Sequence, residues 1–355
     1  MTEKTTLALL FGGRSAEHEV SLESAAAIYK NLNPQKFEIR SIYINKVGHW
    51  RVVPSPLLSF AELSDGRFSS FLPWEERENT QNSNPDIYFP VLHGPFGEDG
   101  TIQGFFEMAG VPYVGASVFA SAAGMDKAMA KVLFQSHDLP VARYAVFLEK
   151  EWLLQTDIML KTIRAEFSLP LFVKPANLGS SVGISQVVNF EDLDQALTDA
   201  FLYDNKILIE EAIQGREIEC SVLGNDKPTA SLPGEVIPYR EFYDYKEKYI
   251  DGNTTFGIPA DLSENTIKKI QNMSIEAFKA VDCSGMARVD FFLQEKTNTI
   301  YLNEINTIPG FTEISMYPKL WEVSNLPFPL LLEKLIALGF EKFRSKKQNT
   351  QGYVS

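Results

Sequence analysis

The chain has 355 residues, 45% of them hydrophobic and 22% charged, with a formal net charge of −13, which is the profile of a soluble globular protein of two or three domains. An acidic balance excludes an extended nucleic-acid surface, which needs clustered lysine and arginine, and the sequence has neither an apolar run of membrane-spanning length nor a signal region. With Cys220 and Cys283 alone there is no disulfide framework or structural zinc spacing, so a cytoplasmic protein with no nucleic-acid or membrane partner is expected.

In chain order, "TLALLF" (6–11) reads as a buried strand, and "GGRSAEHE" turns into the helical pattern "VSLESAAAIYKNL" (20–32). A second strand, "FEIRSIYI" (37–44), completes the opening of a parallel α/β unit. Residues 45–85, richer in Ser, Pro, Asn and Gly, read as a surface insertion. "DIYFPVLHG" resumes the strand pattern, "GTIQGFFEMAG" is helical, "VPYVG" is a short strand, and "SAAGMDKAMAKVLFQSHDLP" reads as one helix ending before Pro140. The pattern from 140 to 212 is strand, helix, strand, followed by the strand "REIECSVLG" (216–224). Residues 234–262 read as a long ordered loop, a length that favours a functional lid. "SENTIKKIQNMSIEAFKAV" is an amphipathic helix with Ser263 as its cap, a hairpin spans 286–306, and a last helix lies near 327–339. The expected domains are 1–122 (α/β), 123–212 and 213–345 (α+β), with a tail at 346–355.

Four segments could carry chemistry. In the hairpin, Arg288 and Asp290, and likewise Glu304 and Asn306, are two residues apart and so share a strand face. Asp290, Glu304 and Asn306 offer the hard oxygens that Mg²⁺ prefers, and Arg288 could grip a phosphoryl or carboxylate oxygen. The same spacing also suits a solvated face of cross-strand charge pairs. In "FVKPANLGSSVGISQV" a strand delivers Lys174 to a loop holding Gly179, Ser180, Ser181 and Gly183. Such a loop can aim backbone N–H groups at anionic oxygens, or be an ordinary turn. It is neither a P-loop nor a dinucleotide fingerprint. Glu210 ends a buried strand and Glu217 follows a glycine link; they suit recognition of an amino group or sugar hydroxyls, or are exposed strand-end glutamates. Near the N-terminus, Glu17, Glu19 and Glu23 are explained by the positive end of a helix. Of the four histidines, His93 is the one expected to face a site, and no HExxH motif is present. Together these signals describe a nucleotide site without a Walker motif.

The ordered motifs "GGRSAEHEVS", "LHGPFGEDGTIQG", "MDKAMAK", "VKPANLGSSVG", "LIEEAIQGREIE", "FYDYKEKY", "ARVDFFL" and "NEINTIPGFTEISMYP" resemble those of the D-alanine–D-alanine ligases in the ATP-grasp superfamily. The resemblance runs almost the whole length, leaving out 45–85 and the C-terminal tail. It implies an ATP-grasp architecture: a Rossmann-like parallel α/β domain followed by two α+β subdomains gripping ATP. The implied activity is ATP-dependent joining of two D-alanines through a D-alanyl phosphate, with Mg²⁺ or Mn²⁺, two ions per site, in a homodimer. By the resemblance, Lys127, Lys174 and the 179–183 loop hold ATP phosphates, Glu210 lies near adenine, and Glu217 binds ribose. Asp290, Glu304 and Asn306 match the metal ligands, while Arg288 and the Gly310 N–H match the oxyanion stabilisers. Glu17 matches the acid binding the first ammonium group, His93 belongs to the substrate site, and Ser315 with Met316 matches the second carboxylate site. Lys248 and Tyr249 lie on the mobile loop, where Tyr249 is expected to connect with Ser180 and Glu17. His18 stands where some members carry arginine, and Glu313 adds a negative charge to the second-substrate segment.

Overall fold

The computed structural model describes residues 4–59, 62–63, 67–68, 84–237 and 255–350. The first sheet contains β1 (Thr5–Gly12), β2 (Phe37–Ile44), β3 (Trp50–Val53), β4 (Arg67–Phe68) and β5 (Ile87–Val91), in the order β4-β3-β2-β1-β5. β1 pairs in parallel with both β2 and β5. Parallel strands covered on both faces need apolar residues at every position, and β1 supplies them. Leu7, Leu9 and Phe11 enter one core, whereas Ala8 and Leu10 enter another beneath α2 (Thr101–Ala109). The region read as a surface insertion extends this sheet, because β3 and β4 add antiparallel strands at its edge. Tyr113 makes a single parallel bridge to Tyr88 rather than a strand.

The helix expected across 121–139 is two helices, α3 (Val118–Met125) and α4 (Lys127–Ser136). Asp126 breaks it: its backbone is extended, and its side chain accepts from the Ala128 and Met129 N–H groups. Such a cap contributes about 1 kcal/mol.

The second sheet, in the order β6-β9-β7-β8, is antiparallel and joins β6 (Tyr144–Leu148), β7 (Leu171–Pro175), β8 (Ser185–Val187) and β9 (Lys206–Glu211). It packs against α5 (Glu149–Glu166) and α6 (Leu193–Phe201) through Trp152, Ile163, Leu193 and Leu197. The α5 helix has no counterpart in the sequence-based expectation. Its apolar periodicity is weak, and Leu153, Leu154 and Ile158 lie exposed on its outer side.

The third sheet runs β13-β12-β10-β14-β15, with β11 (Thr229–Ala230) on β10. Its strands are β10 (Arg216–Gly224), β12 (Gly234–Ile237), β13 (Thr255–Gly257), β14 (Gly285–Gln294) and β15 (Thr299–Asn306). The ends of the segment read as a loop are therefore the paired strands β12 and β13. Helix α7 (Glu264–Ala280) begins with Ser263 accepting from the Thr266 N–H and packs Ile270, Ala277 and Phe278 on one face of this sheet. The opposite face of β10, β14 and β15 is left for the cleft.

The chain closes with α8 (Met316–Val323) and α9 (Phe328–Thr350). No single helix among the described residues is long and apolar enough to cross a membrane. The pair Met316–Val323 and Phe328–Lys346 reaches that length and composition together but bends by 106°. It buries Tyr317, Trp321, Leu331 and Leu335 in the core beneath the first sheet.

Candidate active site

Along β14, Ala287, Val289 and Phe291 point into the core, so Arg288 and Asp290 point to the cleft. β15 needs a device to do the same. Ile300 and Leu302 are core residues, and strict alternation would then bury Glu304 and Asn306 with them. A bulge prevents this: Phe291 pairs with Leu302 and Asp290 with Glu304, leaving Asn303 extra. One inserted residue reverses the facing of everything beyond it. Ile305 returns to the core, while Glu304 and Asn306 stand opposite Asp290 and Arg288.

This face is not a solvated charge ladder. Arg288 and Asp290 are buried. The Arg288 guanidinium donates to both Asp290 oxygens at 2.7 Å and lies 3.0 Å from Glu219 Oε2. Glu219 pairs directly across from Asp290 on β10, so without Arg288 two buried carboxylates would face each other. Asn306 Nδ2 donates to Asp290 Oδ2 at 3.0 Å. Among the described residues no three His, Cys, Asp or Glu side chains form a cation cage. Two carboxylates and an amide oxygen on one face nevertheless fit Mg²⁺, which binds through few carboxylates and completes its shell with water and phosphate oxygens. Arg288 would keep Glu219 as a partner when Asp290 turns to a cation.

The loop between β7 and β8 faces this sheet across a cavity of about 590 Å³, bordered by Lys127, Lys174, Ser180, Glu210, Glu217, Asp290 and Glu304. Ser180 and Ser181 both have positive φ, as does Gly183. The loop reaches into the first domain. Ser180 Oγ donates to Glu17 Oε1. A Cβ on Gly179 would lie 3.0 Å from Glu17 Oε2, and one on Gly94 only 2.7 Å away. Those two glycines leave room for the Glu17 carboxylate. Glu17 is the N-cap residue of the first helix, α1 (His18–Asn31), yet makes no side-chain cap bond; its carboxylate serves the loop. Lys127, at the start of α4, donates to Leu178 O at 2.5 Å and lies 3.9 Å from Glu304.

Glu210 is buried and takes a lysine on each oxygen, Lys131 and Lys174, both at 2.5 Å. Burial alone would raise its carboxyl, but the two ammonium groups outweigh burial and hold it down at about 2. Glu217 is partly buried and borders the cavity.

His93 is buried behind Glu17. One ring nitrogen meets Ile308 O at 3.1 Å and the other Ser24 Oγ at 3.1 Å. Its ring thus joins the first domain to the segment after Asn306, and burial pulls its pKa down. Glu98 lies beside it, accepting from the Gly94 N–H at 2.7 Å and the Ile308 N–H at 3.3 Å. Ser24 Oγ accepts from the Phe311 N–H, so Gly310 is held just outside this bonded core. Ser315 opens α8, with its Oγ accepting from the Thr312 N–H at 3.0 Å and lying against Gly310. Met316 is buried. His18 is buried against Gly13 O and Tyr43, and Glu313 is exposed. Lys248 and Tyr249 lie outside the described residues.

Sequence reasoning missed Lys131, Glu219 and Glu98. Glu219 had a local signal, since it shares a strand face with Glu217. Lys131 lies one helical turn after Lys127 but needed the tertiary structure to meet Glu210. Glu98 has a testable signature. Burial, with the Glu17 charge, raises its carboxyl from 4.5 to about 8. Between those values the folded chain holds a proton that the unfolded chain has released, so this group makes stability fall as pH rises. Glu98→Gln is expected to flatten that slope; urea unfolding of both proteins at about pH 5 and about pH 8 measures it.

Residues 6–116 match the family described as D-ala D-ala ligase N-terminus, and residues 133–337 match D-ala D-ala ligase C-terminus. A D-alanine–D-alanine ligase from Acetivibrio thermocellus is 47% identical over 367 aligned positions, covering 97% of this chain and 98% of its own. Another, from Natranaerobius thermophilus, is 48% identical with 99% of each chain covered. The solved D-alanine-D-alanine ligase of Coxiella burnetii superposes with a TM-score of 0.88 at 38% identity, covering 99% of this chain and 98% of its own. The VanG D-Ala:D-Ser ligase of Enterococcus faecalis does so at 0.83 and 35% identity, covering 95% of this chain and all of its own.

Proposed function

The chain belongs to the D-alanine–D-alanine ligase family, and from that premise we infer how its cleft divides the work. The activity is ATP-dependent ligation of two D-alanines in peptidoglycan precursor synthesis. In our reading the γ-phosphoryl group leaves ADP and joins a carboxylate oxygen of the first D-alanine. The amine of the second D-alanine then attacks that acyl carbon, the C–O bond to phosphate breaks, and the amine gives up a proton.

The observation that carries this reading is one cavity bordered by the lysine-bearing loop and the oxygen-bearing sheet face, with Glu17 tethered to it through Ser180. Lys127 and Lys174 would neutralise triphosphate oxygens, and Glu217 would accept from ribose hydroxyls. Asp290, Glu304 and Asn306 would hold Mg²⁺ or Mn²⁺, two ions per site, whose charge lets two anions approach each other. Glu17 would take the first ammonium group. Arg288 and the Gly310 N–H would bind the oxyanion that forms at the acyl carbon. The start of α8, through the Ser315 hydroxyl, the Met316 N–H and the helix dipole, would receive the second carboxylate. By the family resemblance, Lys248 and Tyr249 would help to keep water from the acyl phosphate. A cytoplasmic homodimer belongs to the same reading, and sedimentation of the purified chain tests the dimer.

The test is phosphate release with ATP and either D-alanine, L-alanine or no amino acid, with D-serine and D-lactate offered as second substrates alongside D-alanine. Release that requires D-alanine, with D-alanyl-D-alanine as the main product, is expected. Tight ATP binding without such release, or a mainly depsipeptide product, overturns the assignment.

A further inference from the structure

At the cavity floor two lysines share one glutamate, and the two are not equivalent. Lys174 comes from β7 and borders the cavity. Lys131 comes from α4, is only 2% exposed, and has its ammonium 5.7 Å from the centre of the Tyr144 ring. Both lie 2.5 Å from Glu210, one on each carboxylate oxygen. A carboxylate this buried requires a cation beside it, because a buried charge left unpaired is strongly destabilising. With Lys174 as the sole partner, an anion in the cavity could recruit that lysine only by stranding Glu210. With Lys131 present, the cluster carries one positive charge more than Glu210 neutralises.

We propose that Lys131 is a positioning residue: the standing counter-ion of Glu210, whose presence releases Lys174 to engage the phosphate oxygens of the nucleotide. Lys131 itself touches neither nucleotide nor amino acid. The same α4 helix thus acts at two depths. Lys127 reaches the loop at the cavity edge, and Lys131, four residues on, anchors the floor. The proposal deepens the ATP-site reading and rests on Lys174 being a phosphate ligand.

The experiment compares Lys131→Met, Lys131→Arg and Lys174→Met in the full chain, measuring the KM for ATP, the KM for D-alanine, kcat and thermal midpoint. Lys131→Met is expected to raise the ATP KM about tenfold or more while the D-alanine KM stays within about twofold. Lys131→Arg is expected to recover most of the loss, since it keeps the charge. In a Glu210→Gln background, Lys131→Met is expected to add nothing to the ATP KM, because no carboxylate then competes for Lys174. A Lys131→Met protein with a lower thermal midpoint but an unchanged ATP KM overturns the proposal. So does a further rise in ATP KM on adding Lys131→Met to Glu210→Gln. That second comparison also decides the matter if Lys131→Met alone fails to fold. An unchanged ATP KM in Lys174→Met instead sinks the phosphate-site reading of Lys174, so the two failures are distinguishable.

Discussion

Replacing Asp290 with asparagine is expected to lower turnover by roughly 10²–10³-fold while leaving the fold in place. The substitution keeps the side chain's shape and removes its charge. Either way round, the amide NH2 faces an Arg288 donor where a carboxylate oxygen accepted, which lowers stability. The fold is expected to persist because Arg288 retains Glu219 at 3.0 Å and the core face of β14, built from Ala287, Val289 and Phe291, is untouched. If the proposed cation site at Asp290, Glu304 and Asn306 shields the two anions that react, catalysis is expected not to tolerate it, because an amide is a poorer cation ligand than a carboxylate. Turnover measured against Mg²⁺ concentration, beside a melting curve, checks both halves. Wild-type turnover at limiting Mg²⁺ would remove Asp290 from the metal site.

Replacing Glu17 with glutamine is expected to cost roughly 10²-fold or more in kcat/KM for D-alanine at the first site, with the ATP KM little changed. Glu17 is nearly buried, at 9% exposure, and glycines at 94 and 179 leave its carboxylate space. A substrate ammonium would meet the Glu17 carboxyl group there, with no arginine or lysine ion pair attached to it among the described residues. Glutamine keeps an oxygen for the Ser180 hydroxyl, so the loop contact survives and only the charge is lost. Ser180→Ala, which removes the contact and keeps the charge, is expected to have the smaller effect. Initial rates at varied D-alanine compare the three proteins, and a Glu17→Gln enzyme with wild-type kinetics would remove the acid from the substrate site.

Much of the fold was legible because its signals are local. The unbroken apolar run of β1 marks a strand buried on both faces, Ser263 marks a helix start, and the two-residue spacing of Arg288 with Asp290 marks a shared face. Misreadings arose where a single residue overrode a longer pattern. Asp126, inside an otherwise helical stretch, prefers to cap the turn ahead of it and so divides α3 from α4. Strands β3 and β4 were hidden because each is short, four and two residues, and lies in a region otherwise rich in Ser, Pro, Asn and Gly. Helix α5 was hidden because so much of its surface, Leu153 and Leu154 included, faces outward.

For the site, the residue types and their order along the chain could be read directly, since a triphosphate and its cations demand lysine, glycine and hard oxygen donors wherever they bind. Side-chain period and composition are properties of neighbours in sequence, and they sufficed to mark the hairpin and the loop as candidates, whereas Glu17 had a full local explanation as a helix-start acid and was singled out only by the family resemblance. The meeting of those parts is a property of distant neighbours. Glu17 and Ser180 are 163 residues apart, and Lys131 and Glu210 are 79 apart. The bulge at Asn303, which turns Glu304 and Asn306 away from the core, leaves no mark in composition. Tertiary packing decided these because only the closed sheets fix which faces are covered, and a buried charge finds its partner only after water has been excluded.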